Sequence, residues 1–329
     1  MTSSRIFYYD VLNVVSCVSV IALHCNGYVH QFDTADKWWW LHVLFEVAFY
    51  NSVPIFFMLS GATLIGYHKK YDTKTFFKKR FRKAFLPFLV FSAAFYAFAI
   101  FGTNHPADLN AGTILHNIFS GHIPFSDYWF FVPLFLMYLF MPFLSVMVTN
   151  LTNRQVLGLI VLIGGIQTIV LPFLLQIDVS WEMQPVWGLP IGNYVAYFLL
   201  GYYLSNTSFE KNNKILGLVI LVAIVFMSLR YAGIFMSEAR RPVLFSYCSL
   251  YGFVASSAIF MIVKRLCNNR GGENYTLPFQ KEFWCLSHTA FRHILLLLLR
   301  HTRRQSIVFS IVPRSISYVC CRNLASPTV

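Results

Sequence analysis

The chain has 329 residues, of which 57% are hydrophobic, 18% aromatic and only 12% charged, with a mean hydropathy of +0.58. So little polar surface cannot wrap a soluble globule of this length, and the composition excludes soluble classes in favour of an integral membrane protein. The net charge of +13 raises nucleic acid as a partner, but the basic residues lie between apolar segments rather than on a binding module, so anionic lipid and an anionic ligand are expected instead.

A ruler of about twenty residues marks apolar segments at roughly 8–27, 43–66, 84–103, 128–148, 156–176, 187–205, 214–233 and 243–263. The fold expected is all-α, a polytopic membrane helix bundle with eight recognisable spans. The first span starts near Tyr8 and has no small-residue cleavage site, so it reads as retained rather than as a signal peptide. His24 stands near its outer end, eleven residues after Asn13. A histidine there can move a proton near neutral pH, as a general base on a hydroxyl must, or simply hydrogen-bond its neighbours at the interface. Glu46 in the second span is another intramembrane ionisable group, placed to orient a histidine or pair with a cation, or to be solvated near the outer surface.

The stretch Asn51–Gly61 brings proline, serine and glycine into the second span. Pro54 frees backbone carbonyls, which predicts either a break that lines a cavity or a packing kink. Between Tyr67 and Pro87 the chain then sets eight Lys and Arg residues against one acid, Asp72. Such a run beside a span stays on the cytoplasmic side. Basic donors where a helix begins also form a cradle for phosphate.

With the amino terminus inside, the inner stretches carry Arg5, the basic run, Arg154, Lys211, Lys214, Lys264, Arg265 and Arg270, against Lys37, Arg240 and Arg241 outside. Tryptophans 38, 39, 40, 129, 181 and 187 fall near outer span ends. The outer stretch Thr103–Asp127, with His105, His116 and His122, reads as a connector or as a contact for a polar acceptor. The seven cysteines form no CxxC pair and have no histidines at metal spacing, so neither a metal site nor a disulfide framework is expected. No internal repeat is visible.

Several of these pieces, in this order, resemble the acyltransferase-3 family of bacterial membrane O-acyltransferases. They are Asp10-Val11-Leu12 with His24, Val53-Pro54-Ile55-Phe56-Phe57-Met58-Leu59-Ser60-Gly61, and Phe77-Lys78-Lys79-Arg80-Phe81-Arg82-Lys83 leading to Leu86-Pro87-Phe88. Tyr128-Trp129-Phe130-Phe131, Tyr138-Leu139 with Pro142, and Tyr197–Leu204 are similar to its later landmarks. The resemblance covers about residues 8–275, within one transmembrane domain taken as 1–275, and it implies about ten helices. It implies transfer of an acyl group, usually acetyl, from cytoplasmic acetyl-CoA to a hydroxyl of a surface polysaccharide or lipid-linked glycan, in a bacterial plasma membrane. His24 matches the family's first-helix histidine; Glu46 joins it as a catalytic candidate on its intramembrane position alone. Arg80, Arg82 and Lys83 match the CoA-facing basic element, while Lys69, Lys70 and Lys74 revert to ordinary inner-face charges. The acyl arm must cross much of a bilayer about 30 Å thick, so the Pro54–Gly61 break is expected to shorten the path.

Two positions depart from the family pattern. Asn13 stands where a cation is usual, replacing a charge by an amide, and Lys83 replaces a second arginine, losing its bidentate fork. A transporter or flippase for a lipid-linked glycan is the alternative, with spans, broken helices and a basic inner face in common. The absence of inverted repeats and the ordered landmarks stand against it.

Residues 276–329 break the pattern. Ile294–Leu299 is too short to span, and seven of the 26 Lys and Arg residues fall from Lys281 onward. Reading the codons for Lys281–Thr289 from their second base permits Ser-Phe-Gly-Val-Tyr-Leu-Ile, similar to the start of the family's last helix. The expectation is a frameshift near residues 276–281 that replaces the last one or two helices with an out-of-frame tail, with a naturally divergent tail as the alternative; an incomplete bundle that leaves polar faces in lipid would account for an inactive product. Resequencing that finds an intact frame ends the idea.

Overall fold

In a computed structural model of the chain, the described residues are 6–30, 36–101, 110–120, 122–123, 126–169, 191–236, 247 and 249–268. The basic tail and its proposed frameshift lie outside them, as do His105, Trp181 and Trp187. Helix α1 spans Phe7–Cys25, α2 Lys37–Phe49, α3 Ser52–Leu64, α4 Thr73–Arg80, α5 Leu86–Phe101 and α6 Ala111–Ser120. After them come α7 Phe131–Thr149, α8 Asn153–Gly165, α9 Ile191–Asn206, α10 Asn213–Met236 and α11 Leu250–Asn268. Each of the eight expected segments overlaps a described helix, the second as the pair α2 and α3, while residues 102–103, 170–176, 187–190, 243–246 and 248 of those segments lie outside the described residues. Among the described residues, five helical runs are long and apolar enough to cross a membrane: Phe7–Cys25, Trp38–Lys69, Phe131–Thr149, Asn213–Ile234 and Leu250–Cys267. Among the described residues, the only strand pairing is a two-residue antiparallel one, with His122 opposite Asp127 and Ile123 opposite Ser126.

The closest contact in the bundle is the crossing of α3 and α9. A Cβ on Gly61 would lie 1.9 Å from the Phe198 carbonyl oxygen, and one on Gly201 would lie 1.9 Å from that of Met58. Two backbones therefore touch where each helix offers a glycine, the means by which membrane helices gain packing without a hydrophobic driving force. Around this crossing Phe57 stacks on Tyr194 at 4.2 Å between ring centres, and Met58, Phe198 and Leu199 are fully buried. Helix α1 packs on α3, α8 on α9, and α11 on both α1 and α10.

The bend in the second span precedes Pro54. Helix α2 stops at Phe49, Tyr50 and Asn51 form the turn, and α3 runs on unbroken through Pro54 and Gly61. Pro54 sits in the first turn of α3, where the missing N–H would have had no intrahelical partner. The expected Pro54–Gly61 break is thus a bend at Tyr50–Asn51, and Gly61 serves packing.

The basic run also begins its helix earlier than a phosphate cradle at a helix start requires. Asp72 caps α4, its Oδ2 accepting from the Thr75 N–H at 3.2 Å. Hydrogen bonding from Thr75 holds the Asp72 carboxyl below its ordinary value, so the cap is intact at neutral pH and lost as pH falls through that lowered value. A π-helical stretch, Phe81–Phe85, joins α4 to α5. The stretch expected as a connector contains α6, whose Ile114 and Ile118 pack on the Phe88 and Tyr96 cluster while Leu115 and Phe119 stay exposed. That pattern suits a helix lying at an interface.

Replacing Gly61 or Gly201 by valine forces α3 and α9 apart. The expected cost is about 3 kcal/mol, the upper part of the range for overpacked cores. A drop in the thermal unfolding midpoint of detergent-solubilised protein checks this, with Gly158→Ala, which meets nothing within 4 Å, as the silent control. An unchanged midpoint in both valine variants would refute the crossing.

Candidate active site

His24 occupies the last turn of α1 and is exposed. Eleven residues at about 100° each bring Asn13 to within about 20° of it around the helix, and Asn13 is exposed too. Both lie roughly a third of a turn from the stripe Tyr8, Leu12, Ser16 and Ser19 that α1 buries against its neighbours. The sequence spacing thus produces one accessible face carrying both residues.

Just beyond His24, Asn26 closes α1, its N–H bonded to the Leu23 carbonyl at 3.0 Å. Its side chain ties α1 to α2. The amide Nδ2 donates to the His42 carbonyl at 2.8 Å and to Glu46 Oε2 at 2.9 Å, while Oδ1 meets His42 Nδ1 at 2.5 Å. Because the two oxygens fix the Nδ2 end, Oδ1 must be the acceptor facing His42. His42 Nδ1 is therefore the donor in this contact. Glu46 is 6% exposed, so it is a buried hydrogen-bonding carboxylate rather than a solvated one.

A buried cation accompanies it. Arg230 on α10 is 1% exposed, with its guanidinium 4.2 Å from the Tyr50 ring centre. Tyr50 in turn stacks on Tyr247 at 4.2 Å with planes 7° apart, and Tyr197 donates its hydroxyl to the Tyr247 carbonyl at 2.6 Å. Glu46 and Arg230 lie within electrostatic reach of each other. A guanidinium inside an apolar bundle is tolerated where a carboxylate and aromatic faces compensate it. Asn51, at the α2–α3 bend, is buried with neither amide atom hydrogen-bonded.

The predicted site residues therefore divide between two ends. His24 and Glu46 belong to one, joined through Asn26. Arg80, Arg82 and Lys83 belong to the other, two to three turns inside the helix that Asp72 starts. Arg80 is half-buried, with its guanidinium 5.8 Å from the centres of both the Phe76 and Tyr138 rings, while Arg82 and Lys83 are exposed on the π-helical stretch. π-helical turns recur at functional sites. His42, Asn26 and Tyr50 escaped the sequence reading, in which Arg230 counted only as a basic residue close to an outer span end. The available signal was an arginine within an apolar segment, which marks function or a buried partner by default. Among the described residues no group of three or more His, Cys, Asp or Glu is arranged to hold a metal. Cys17, Cys25 and Cys267 are free.

Substituting Glu46→Gln leaves Arg230 buried beside a neutral group. The expected outcome is a lower unfolding midpoint, because an uncompensated buried cation is costly in an apolar bundle. The double variant Glu46→Gln/Arg230→Met recovers part of that loss. Equal midpoints for Glu46→Gln and the parent contradict the coupling.

Comparison with known proteins adds one match. The family model described as an acyltransferase domain, the third of that name, matches residues 6–289. No curated protein and no solved structure matches the chain.

Proposed function

This chain belongs to the acyltransferase-3 family, whose domain covers most of it, and we propose that this membrane acyltransferase moves an acetyl group from cytoplasmic acetyl-CoA to a hydroxyl of a surface polysaccharide or lipid-linked glycan. A bacterial plasma membrane is the setting of that reading. What supports it is the separation of two unlike chemistries along one helix. His24 lies about 27 Å along α1 from Ile6 at 1.5 Å per residue, and Ile6 lines the same cavity as Lys69 and Lys70. A basic end suits an anionic donor, and an exposed histidine at the far end suits a polar acceptor.

The chemistry needs one proton moved and one acyl group transferred. The acceptor oxygen attacks the thioester carbonyl as a base takes its proton. The new C–O bond forms, the C–S bond breaks, and the proton passes to the departing CoA sulfur. His24 is the base in this account, since its ring is open to an incoming sugar. His42 is held near the end of α1 through Asn26, and Glu46 anchors that asparagine. Glu46 therefore acts by positioning. Arg80, Arg82 and Lys83 attract the phosphates of the donor to the inner face.

Two observations favour an enzyme over a flippase: the family match and the histidine face on α1. In membranes carrying the chain with its downstream frame restored, labelled acetyl-CoA is expected to label surface glycan. His24→Ala is expected to lower that rate by roughly 10²–10⁴-fold, the usual worth of a general base. Full activity in His24→Ala, with loss confined to His42→Gln, transfers the base to His42 and overturns the assignment.

A further inference from the structure

Helix α6 has two faces of opposite character, and the bundle uses only part of the apolar one. Asn110 starts the helix, its Oδ1 accepting from the Gly112 N–H at 2.8 Å and its carbonyl from the Ile114 N–H at 3.0 Å. Ala111, Ile114, Leu115, Ile118 and Phe119 then recur at helical spacing on one side, with Thr113, His116, Asn117 and Ser120 on the other. No residue of α6 is Lys, Arg, Asp or Glu.

Packing divides these faces further. Ile114 and Ile118 pack on the cluster of Phe88 and Tyr96, whereas Leu115 is 55% exposed and Phe119 73%. His116, on the polar side, is exposed as well. At about 100° per residue, the middle of the apolar stripe points roughly at right angles to the direction in which α6 meets the bundle. A helix set beside a bundle with its apolar side turned one way and its polar side the other has the geometry of one lying flat in a membrane interface.

The height of α6 agrees. Ser145 on α7 donates to the Ile65 carbonyl at the inner end of α3. Fourteen residues separate Ser145 from Phe131, about 21 Å of helix, and Phe131 meets Phe88 of α5 with ring centres 5.2 Å apart. Tyr96 lies about 12 Å further along α5. The cluster that receives Ile114 and Ile118 therefore reaches about 33 Å from the inner ends, where a hydrocarbon core of about 30 Å gives way to headgroups. Val90, Ala93, Ala94 and Ala97 form the exposed face of α5, so α6 stands at the top of a helix whose own open side is apolar. Two exposed side chains are far too small an area to hold a protein partner, and a helix without charge has nothing to steer one. Acyl chains require only apolarity at the right depth.

We propose that α6 is seated in the outer leaflet, with Leu115 and Phe119 among the upper methylenes of the lipid acyl chains and the polar side turned to water. This goes beyond the acyl-transfer reading and does not depend on it. The outer stretch expected as a connector or as an acceptor contact becomes a membrane-surface element, at about the height of His24 on α1.

The test uses the full chain with an environment-sensitive fluorescent amino acid in place of Phe119 or, in a second protein, of His116, held one copy per nanodisc. Lipids brominated near the headgroup end of their acyl chains quench from within the bilayer, and iodide quenches from water. The expected result is several-fold stronger bromolipid quenching at position 119 than at position 116, with the order reversed for iodide. Leu115→Asp, which sets a charge against the hydrocarbon, is expected to lower the bromolipid quenching at position 119 and raise the iodide quenching there. Equal iodide quenching at the two positions places α6 in water and overturns the proposal. Shielding of position 119 from both quenchers in single-copy discs assigns the face to another segment of this chain, and shielding that appears only with two copies per disc assigns it to a second copy; either result also overturns it.

Discussion

The bundle depends on two backbones touching. Gly61 and Gly201 let α3 and α9 meet with no side chain between them, and a methyl group at either position would collide with a carbonyl oxygen on the other helix. Lipid offers no hydrophobic force to press helices together, so this contact and the aromatic packing around it must hold the centre. The remaining helices dock on this pair, α1 against α3, α8 against α9 and α11 across α1. The crossing consequently sets the spacing of the helix ends that form the basic-end cavity. It also fixes where α3 begins, and so the bend that carries Tyr50 and Asn51 into the bundle.

Each end of the bundle buries a cation near a carboxylate, and the two arrangements differ in purpose. At the basic end Lys264 bonds helix carbonyls and Glu210, spending all its protons on structure and leaving one carboxylate oxygen unclaimed. At the far end Arg230 lies against Tyr50 while Glu46 holds Asn26, which positions His42 beside the last turn of α1. Charge buried in an apolar bundle is costly unless compensated. Its retention at both ends suits the proposed reaction, in which donor and acceptor are handled at different ends of the bundle.

Much of the fold was legible because hydrophobic length is a strong signal. Segments such as 8–27 and 214–233 need only a ruler, and the helices found there follow it. The landmarks Pro54 to Gly61 were visible as residues, but their meaning required the partner helix. A glycine reads alike whether it breaks a helix or touches another, and only Gly201 across the crossing decides it. The site was half legible. His24 stood out by its place at a span end, and Arg80 by its neighbours. Asn26, His42 and Arg230 are single polar residues within apolar stretches, and pairing among α1, α2 and α10 is a long-range property that no local pattern encodes. Lys69, Lys70 and Lys264 were read as inner-face charges because positive charge beside a span has that ordinary use; their cavity appears only when four helix ends converge.

The central claim is that donor and acceptor act at opposite ends of one bundle, and sidedness measures it directly. The chain would be placed in liposomes of known orientation, with labelled acetyl-CoA supplied to one face and a soluble glycan acceptor to the other. The account predicts label on the glycan only when acetyl-CoA faces the end bearing Lys69–Lys83. Equal labelling from either face, or transfer to an acceptor on the donor's own side, would contradict it.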